Sequence, residues 1–363
     1  MVAVVVAAAG TTVFACGLGE MPGDAGRPPE LRRYVAYRSP GAIEIDGRLD
    51  EAAWQAAEWS EAFVDIEGSA RPTPTWLTRV KMLWDDEYFY VAARLDEPHV
   101  WGTLIKRDTI IYHDDDFEVF IDPDGDTHDY YELEINALGT VWDLLLEKPY
   151  RDGGPAVNAW DIEGLVAAVS VSGTLNDPAD EDEGWTVELA LPWDAFTEEV
   201  QDRRRPADGE QWRVNFSRVD WDLEVEDARY HKAVDSATGR PLPEHNWVWS
   251  QQGAVNMHKP EMWGIVQFSE VIAGEGRTRF RPSEDDAVRW TLRQVYYAQS
   301  TYRREHGSYA RWLDDIGVDR RAMLASSVRL VSSERAYVAS APGHDSRVVW
   351  HINEDGRIWK QGP

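Results

Sequence analysis

Cysteine is almost absent from this chain: Cys16 is the single one in 363 residues. A disulfide framework and a cysteine-built zinc site are excluded by that scarcity. The nine histidines do not replace it, because no His-x-Glu or His-x-x-x-His ligand spacing falls in a helical context. Long apolar runs are lacking as well, and the one at the start, Val2 to Ala9, is too short to cross a bilayer. Basic charge is in deficit, with 37 Lys and Arg against 65 Asp and Glu and a formal net charge of −28. A field of that sign repels phosphate backbones and anionic headgroups, so nucleic acid and an anionic membrane surface are excluded as partners. Neutral ligands and cations remain. Neither a glycine-rich phosphate loop nor a Ser, His and Asp elbow is present.

Residues 1–15 carry no charge, and their apolar run suits an export signal over residues 1–16. Cys16 follows a small residue at the end of that run, a position that resembles a bacterial lipoprotein cleavage site. Acylation there would tether the protein to a membrane surface without spanning it, which is the one membrane contact expected; an ordinary cleaved signal is the alternative. Residues 17–40, with Gly17, Gly19, Pro22, Gly23, Gly26, Pro28 and Pro29, have linker composition. Charge then divides the rest. From Gly276 on there are 15 basic and 11 acidic residues, leaving 22 and 54 before it. With Gly274, Gly276 and Pro282 clustered at that step, a first domain over 41–275 and a second over 283–363 are expected, joined by a protease-sensitive stretch.

Strand signals recur at short spacing from Ile43 to Phe268, each bounded by Gly, Pro, Asp or Asn. They include Arg79 to Asp85, Tyr88 to Leu95, Val141 to Leu146, Leu165 to Val171, Trp212 to Phe216 and Ile265 to Phe268. Helical runs are brief, at Leu49 to Ala57 and Pro192 to Phe196. Such a pattern predicts a mainly β protein, an antiparallel jelly-roll-like β-sandwich. Its centre is the stretch Tyr112 to Leu145. There Phe117, Val119 and Ile121 alternate with Asp116, Glu118 and Phe120, and after an acidic turn Tyr131, Leu133 and Ile135 alternate with Glu132 and Glu134. The two strands therefore send apolar side chains to one face and acidic or aromatic ones to the other, which makes the hairpin a wall of a polar, aromatic-edged site as well as part of a core.

Several landmarks occur in order: Ile45-Asp46-Gly47 with Leu49 to Trp54, Leu83-Trp84-Asp85-Asp86-Glu87-Tyr88, Asp115 to Asp122, Gly184-Trp185 to Pro192-Trp193, Trp212 to Arg218, and His258-Lys259-Pro260-Glu261-Met262-Trp263-Gly264. Together they resemble family 9 carbohydrate-binding modules over about residues 40–270. The resemblance implies a β-sandwich that binds sugars, within exported proteins of polysaccharide-degrading bacteria. It also implies roles for particular residues. Tyr112 falls where binding members place one of two aromatic residues that sandwich the sugar, and Glu118 where they place a hydroxyl-binding glutamate. Asn256-Met257-His258 stands where the second aromatic is expected, so Trp249 or His258 is the candidate to fill its place.

Chemistry gives a separate reason to consider sugar. A pyranose offers apolar C–H faces and a rim of hydroxyls, and 14 of the 18 tryptophans precede residue 276. Trp54, Trp84, Trp185 and Trp212 have the periodicity of core residues, whereas Tyr112, Trp160, Trp247, Trp249 and Trp263 lie at strand ends or loops. Asp122-Pro123-Asp124-Gly125-Asp126 has the alternating oxygens that suit Ca2+, although Leu133 stands where an EF-hand's closing glutamate would be. A structural calcium, which the family resemblance favours, and a solvated acidic turn are both open. The expected function is binding of plant-type polysaccharide or oligosaccharide without catalysis. A glycoside hydrolase using two of the many carboxylates is the alternative. A b-type haem module using a Met and a His is a minor one.

After Ser283-Glu284-Asp285-Asp286, a helical period runs through Ala287, Trp290, Val295 and Tyr302 to Gly307. Strands are expected at Arg329 to Val331, Ala336 to Ala339, Val348 to Ile352 and Arg357 to Trp359, with Glu354-Asp355-Gly356 as a hairpin turn. This is a small α+β domain for stability or docking. Its Tyr302 to Tyr309 junction resembles that of bacterial pilin-like domains.

Overall fold

A computed structural model describes residues 28–196, 205–317 and 327–362. The apolar leader and Cys16 lie outside the described residues. The strands of the first unit are β1 (Arg33–Arg38), β2 (Val64–Asp65), β3 (Thr78–Trp84), β4 (Tyr88–Asp96), β5 (Asp116–Asp122), β6 (Tyr130–Asn136), β7 (Val141–Leu146), β8 (Ala156–Val157), β9 (Val166–Ser172), β10 (Gly184–Pro192), β11 (Gln211–Asp220), β12 (Leu223–Glu226), β13 (Arg229–Lys232), β14 (His245–Val248) and β15 (Gly264–Ile272). A short helix, α1 (Ala52–Ala56), precedes β2. The second unit holds a longer helix, α2 (Asp286–His306), and strands β16 (Arg329–Ser332), β17 (Tyr337–Pro342), β18 (Val349–Asn353) and β19 (Ile358–Gln361).

One continuous sheet follows the path β8-β7-β6-β5-β11-β15-β1-β3-β4-β10-β9. Its two halves face each other. Phe117, Val119, Ile121, Leu133 and Phe216 from one half and Val80, Met82, Phe89, Val91, Val187 and Leu189 from the other share a single buried core. The period-two alternation of these strands drives the closure, since each contributes one apolar face to remove from water. Trp54, Trp84, Trp185 and Trp212 are all buried, as their periodicity predicts.

One expectation needs correction. Residues 33–38, assigned to the linker, form β1, which lies inside the sheet in parallel pairing with both β15 and β3. Ala36 is buried, and its carbonyl accepts a hydrogen bond from Trp84 Nε1 at 3.1 Å. The sandwich is thus antiparallel except at β1. The stretch between the two units bonds to the sandwich: Thr278 N donates to Tyr37 Oη at 2.9 Å, Gln211 Nε2 to Arg281 O at 2.6 Å and Gln267 Nε2 to Arg279 O at 3.2 Å.

The second unit is a helix packed on a four-stranded antiparallel sheet in sequential order. Val288, Leu292, Val295 and Tyr296 of α2 meet Tyr337, Ala339, Ile352 and Ile358. Gly307 ends the helix in the left-handed conformation (φ 75°), where glycine has no Cβ to strain. Polar contacts join this unit to the first: Ile358 N donates to Asp126 O at 3.1 Å, and Arg357 Nε to Asp126 Oδ2 at 2.6 Å.

Candidate functional site

The register of β5, β6, β7 and β11 decides which side chains share the face turned away from the main core. Glu118 stands opposite Glu134 on β6 and Ser217 on β11, and Phe120 opposite Glu132 and Asn215. Trp142 on β7 stands opposite Glu134, and Leu144 opposite Glu132. Part of this face is roofed by the segment from Met257 to Trp263, which packs on Phe120, Tyr130, Leu144 and Val248. Beside the roofed part lies a row of buried carboxyls: Asp116, Glu118 and Glu134 offer oxygens within 4.8 Å of one another, with Glu132 next in the row.

Crowding and burial set the protonation of this row. Burial, with like charge nearby, lifts Glu118 to about 7 and holds Asp116, Glu132 and Glu134 well above the carboxylate range. Carboxyls so close cannot all ionise, and they titrate as a group. Near neutral pH the row therefore presents both O–H donors and carboxylate acceptors, matching the dual character of sugar hydroxyls. Ser217 on β11 hydrogen-bonds Glu118 from one side of the row, and on the other side Trp142 Nε1 is buried with no hydrogen-bond partner among the described residues.

Two tyrosines edge the row. Tyr112 is 37% exposed in the short 3-10 turn before β5, and its backbone N–H donates to Glu134 Oε2 at 3.0 Å. Trp221 Nε1 donates to the Tyr112 carbonyl at 3.0 Å, which fixes the turn from its other side. Tyr150 is 45% exposed in the turn Tyr150–Asp152 that follows β7. Burial and then the charges of Glu132, Glu134 and Tyr112 push its hydroxyl up, so ring and row share one neighbourhood.

Tyr150 rests edge-on against His258, with ring centroids 4.5 Å apart. His258 Nδ1 lies 3.0 Å from Tyr130 Oη, and burial followed by the Arg151 charge depresses its pKa to about 3, so the imidazole is neutral. His258 thus lies between the Tyr150 ring and Tyr130. Trp249, the other residue expected there, is 1% exposed in the main core against Phe216, and a Cβ at Gly264 would lie 2.3 Å from its ring. Strand alternation turns it inward. Trp247 and Trp263 are likewise buried, and Trp160 packs on Tyr131 on the core side. Of the sequence candidates, the structure brings Tyr112 and Glu118 together, places His258 beneath Tyr150, and separates Trp249. Tyr150 was missed because its loop has no periodicity.

The three aspartates of the β5–β6 turn also converge to within 4.8 Å. Asp122 accepts the Gly125 and Thr127 amides at 2.8 and 3.0 Å, and Asp126 the His128 amide and the Arg357 guanidinium. Burial and mutual repulsion raise Asp122 and lift Asp126 to about 7. A divalent cation suits this donor set and would relieve the repulsion. They lie at the end of β5 away from Tyr112.

A family model described as carbohydrate family 9 binding domain-like matches residues 45–270. The chain belongs to this family. Its curated relatives include exoglucanase XynX of Acetivibrio thermocellus, 26% identical over 194 residues, which are 53% of this chain and 14% of that protein. Endo-1,4-beta-xylanase A of Thermoanaerobacterium saccharolyticum is 29% identical over 163 residues, 45% of this chain and 12% of that protein. The chain thus spans about a seventh or less of these relatives' length. Among solved structures, a family 9 module from Caldicellulosiruptor kristjanssonii in complex with cellotriose is 16% identical, covers 69% of this chain and 100% of its own, and has a TM-score of 0.43. A putative carbohydrate-binding protein from Bacteroides uniformis, 17% identical, covers 66% and 100%, with a TM-score of 0.46.

Proposed function

We propose that this family 9 protein binds neutral oligosaccharide or polysaccharide, and that it does so without cleaving it. The observation that carries this reading is the pair of exposed tyrosines, Tyr112 and Tyr150, at the edges of the buried row Glu118, Glu132 and Glu134. Rings suit the C–H faces of a pyranose, and partly protonated carboxyls suit its hydroxyls. The related exoglucanase and xylanase point to β-linked glucose or xylose units as the class. The carboxyls all project from one sheet face and so meet a ligand from the same side. Glycoside hydrolysis instead needs two carboxyl groups flanking the scissile bond. Calcium at Asp122, Asp124 and Asp126 has a structural part in this reading, and export directed by residues 1–16 would carry the protein to the periplasm, to the cell surface if Cys16 is acylated, or into the medium.

Calorimetric titration against xylo-, cello- and manno-oligosaccharides, with a reducing-sugar assay on xylan and cellulose, tests the proposal. Saturable binding to one of these series without sugar release is expected. Sugar release abolished by an Asp or Glu substitution, or no binding across the panel, would overturn it.

A further inference from the structure

The turn that carries Tyr150 is gripped by the second unit. Arg151 and Asp152 follow it directly, and their side chains are only 4% and 6% exposed. Arg151 makes a two-pronged pair with Glu261, Nη1 to Oε1 at 2.7 Å and Nη2 to Oε2 at 2.9 Å. Glu261 belongs to the segment that bears His258, the residue beneath the Tyr150 ring. Onto this pair α2 sets two neighbouring side chains: Tyr297 Oη donates to Glu261 Oε1, and Tyr296 Oη donates to Asp152 Oδ1 at 2.5 Å. Their rings also lie 5.5 and 6.0 Å from the Arg151 guanidinium carbon. Burial alone would raise Glu261, but Arg151 and Arg293 outweigh it and hold the carboxyl ionised. A charge-assisted, bidentate, buried pair of this kind fixes geometry more strongly than single neutral hydrogen bonds do.

We infer that the C-terminal α+β unit is a working part of the sugar site, with Tyr296 and Tyr297 as positioning residues that set the height and angle of Tyr150 over the carboxyl row. This inference rests on the proposed sugar reading for its consequence, but its mechanical part stands on the contacts above. Adjacent tyrosines on a helix point in different directions, and here the two reach separate partners on separate segments, Asp152 beside Tyr150 and Glu261 beside His258. Removing both hydroxyls leaves the rings to pack and takes away the two ties.

The test uses the full chain and the double variant Y296F/Y297F, at a temperature where it and the parent remain folded. Hydrogen exchange at the amides of Asp152, Gly153 and Gly154, which bond to Pro149 and Tyr150 carbonyls, is expected to quicken about ten-fold or more, while β5 and β6 are unchanged. Exchange that stays the same in the turn, or quickens equally everywhere, overturns the inference without bearing on sugar binding. Titration with cellotriose and xylotriose completes the test. The double variant is expected to bind about five-fold or more weakly in the parent background and to have no further effect in a Y150A background. An equal loss in both backgrounds would show a general structural role and contradict the positioning one.

Discussion

Tyr112 and Tyr150 differ from Trp247, Trp249 and Trp263 in being exposed to water. Truncating a stacking ring costs about 1 to 3 kcal/mol of binding, so Tyr112→Ala and Tyr150→Ala are each expected to weaken oligosaccharide binding roughly ten-fold or more with little change in melting temperature. Trp249→Ala should behave in the opposite way, costing about 3 to 5 kcal/mol of stability because it empties a packed core site. Denaturant unfolding of the two kinds of variant separates them. The carboxyl row makes a pH prediction with a definite sign. Burial lifts Glu118 to about 7 in the folded protein and holds Asp116, Glu132 and Glu134 well above the carboxylate range. Between the ordinary carboxylate range and these values the folded protein binds more protons than the unfolded chain, so stability falls as pH rises through that window. Thermal melts are expected to give a higher Tm at pH 5.5 than at pH 8.5, and Glu118→Gln should narrow the gap; the reverse order would count against the protonated row.

The central hairpin was legible because two strands with period two, joined by an acidic turn, have few other ways to fold. The sequence also showed that its second face is acidic. What could not be read was which aromatic closes that face, since the Tyr150 turn is placed by Glu261, Tyr296 and Tyr297, all remote in the chain. Strand β1 was missed for a similar reason: its Arg33 and Arg38 ends read as polar, and its parallel partners lie far away. Trp249 was misassigned because a strand end was equated with exposure. Here the neighbouring strand makes room for it with a glycine, and Gly264→Ala, whose Cβ would strike the indole, is expected to destabilise by about 1 to 3 kcal/mol in denaturant unfolding. An unchanged midpoint would contradict the packing described.

At the scale of the molecule, the acidic sandwich and the more basic C-terminal unit are held by partly buried polar ties, with Arg357 on Asp126 and Tyr297 on Glu261. One cooperative transition is therefore expected in calorimetry, and Glu261→Gln, which breaks the two-pronged pair and leaves buried Arg151 with Asp152 as its ionic partner, should lower stability by about 3 kcal/mol. Two resolved transitions would show that the units unfold separately. If calcium occupies the aspartate turn, chelation should lower the Tm and added calcium restore it; a melt indifferent to both would remove the cation from the account. The proposed sugar site itself is tested most directly by titrating parent, Tyr112→Ala, Tyr150→Ala and the double variant with the oligosaccharide that binds best. Binding by the parent, a loss of about ten-fold or more in each single variant and no measurable binding in the double are expected, all with folded proteins. Equal affinity across the four would contradict a sugar held between Tyr112 and Tyr150.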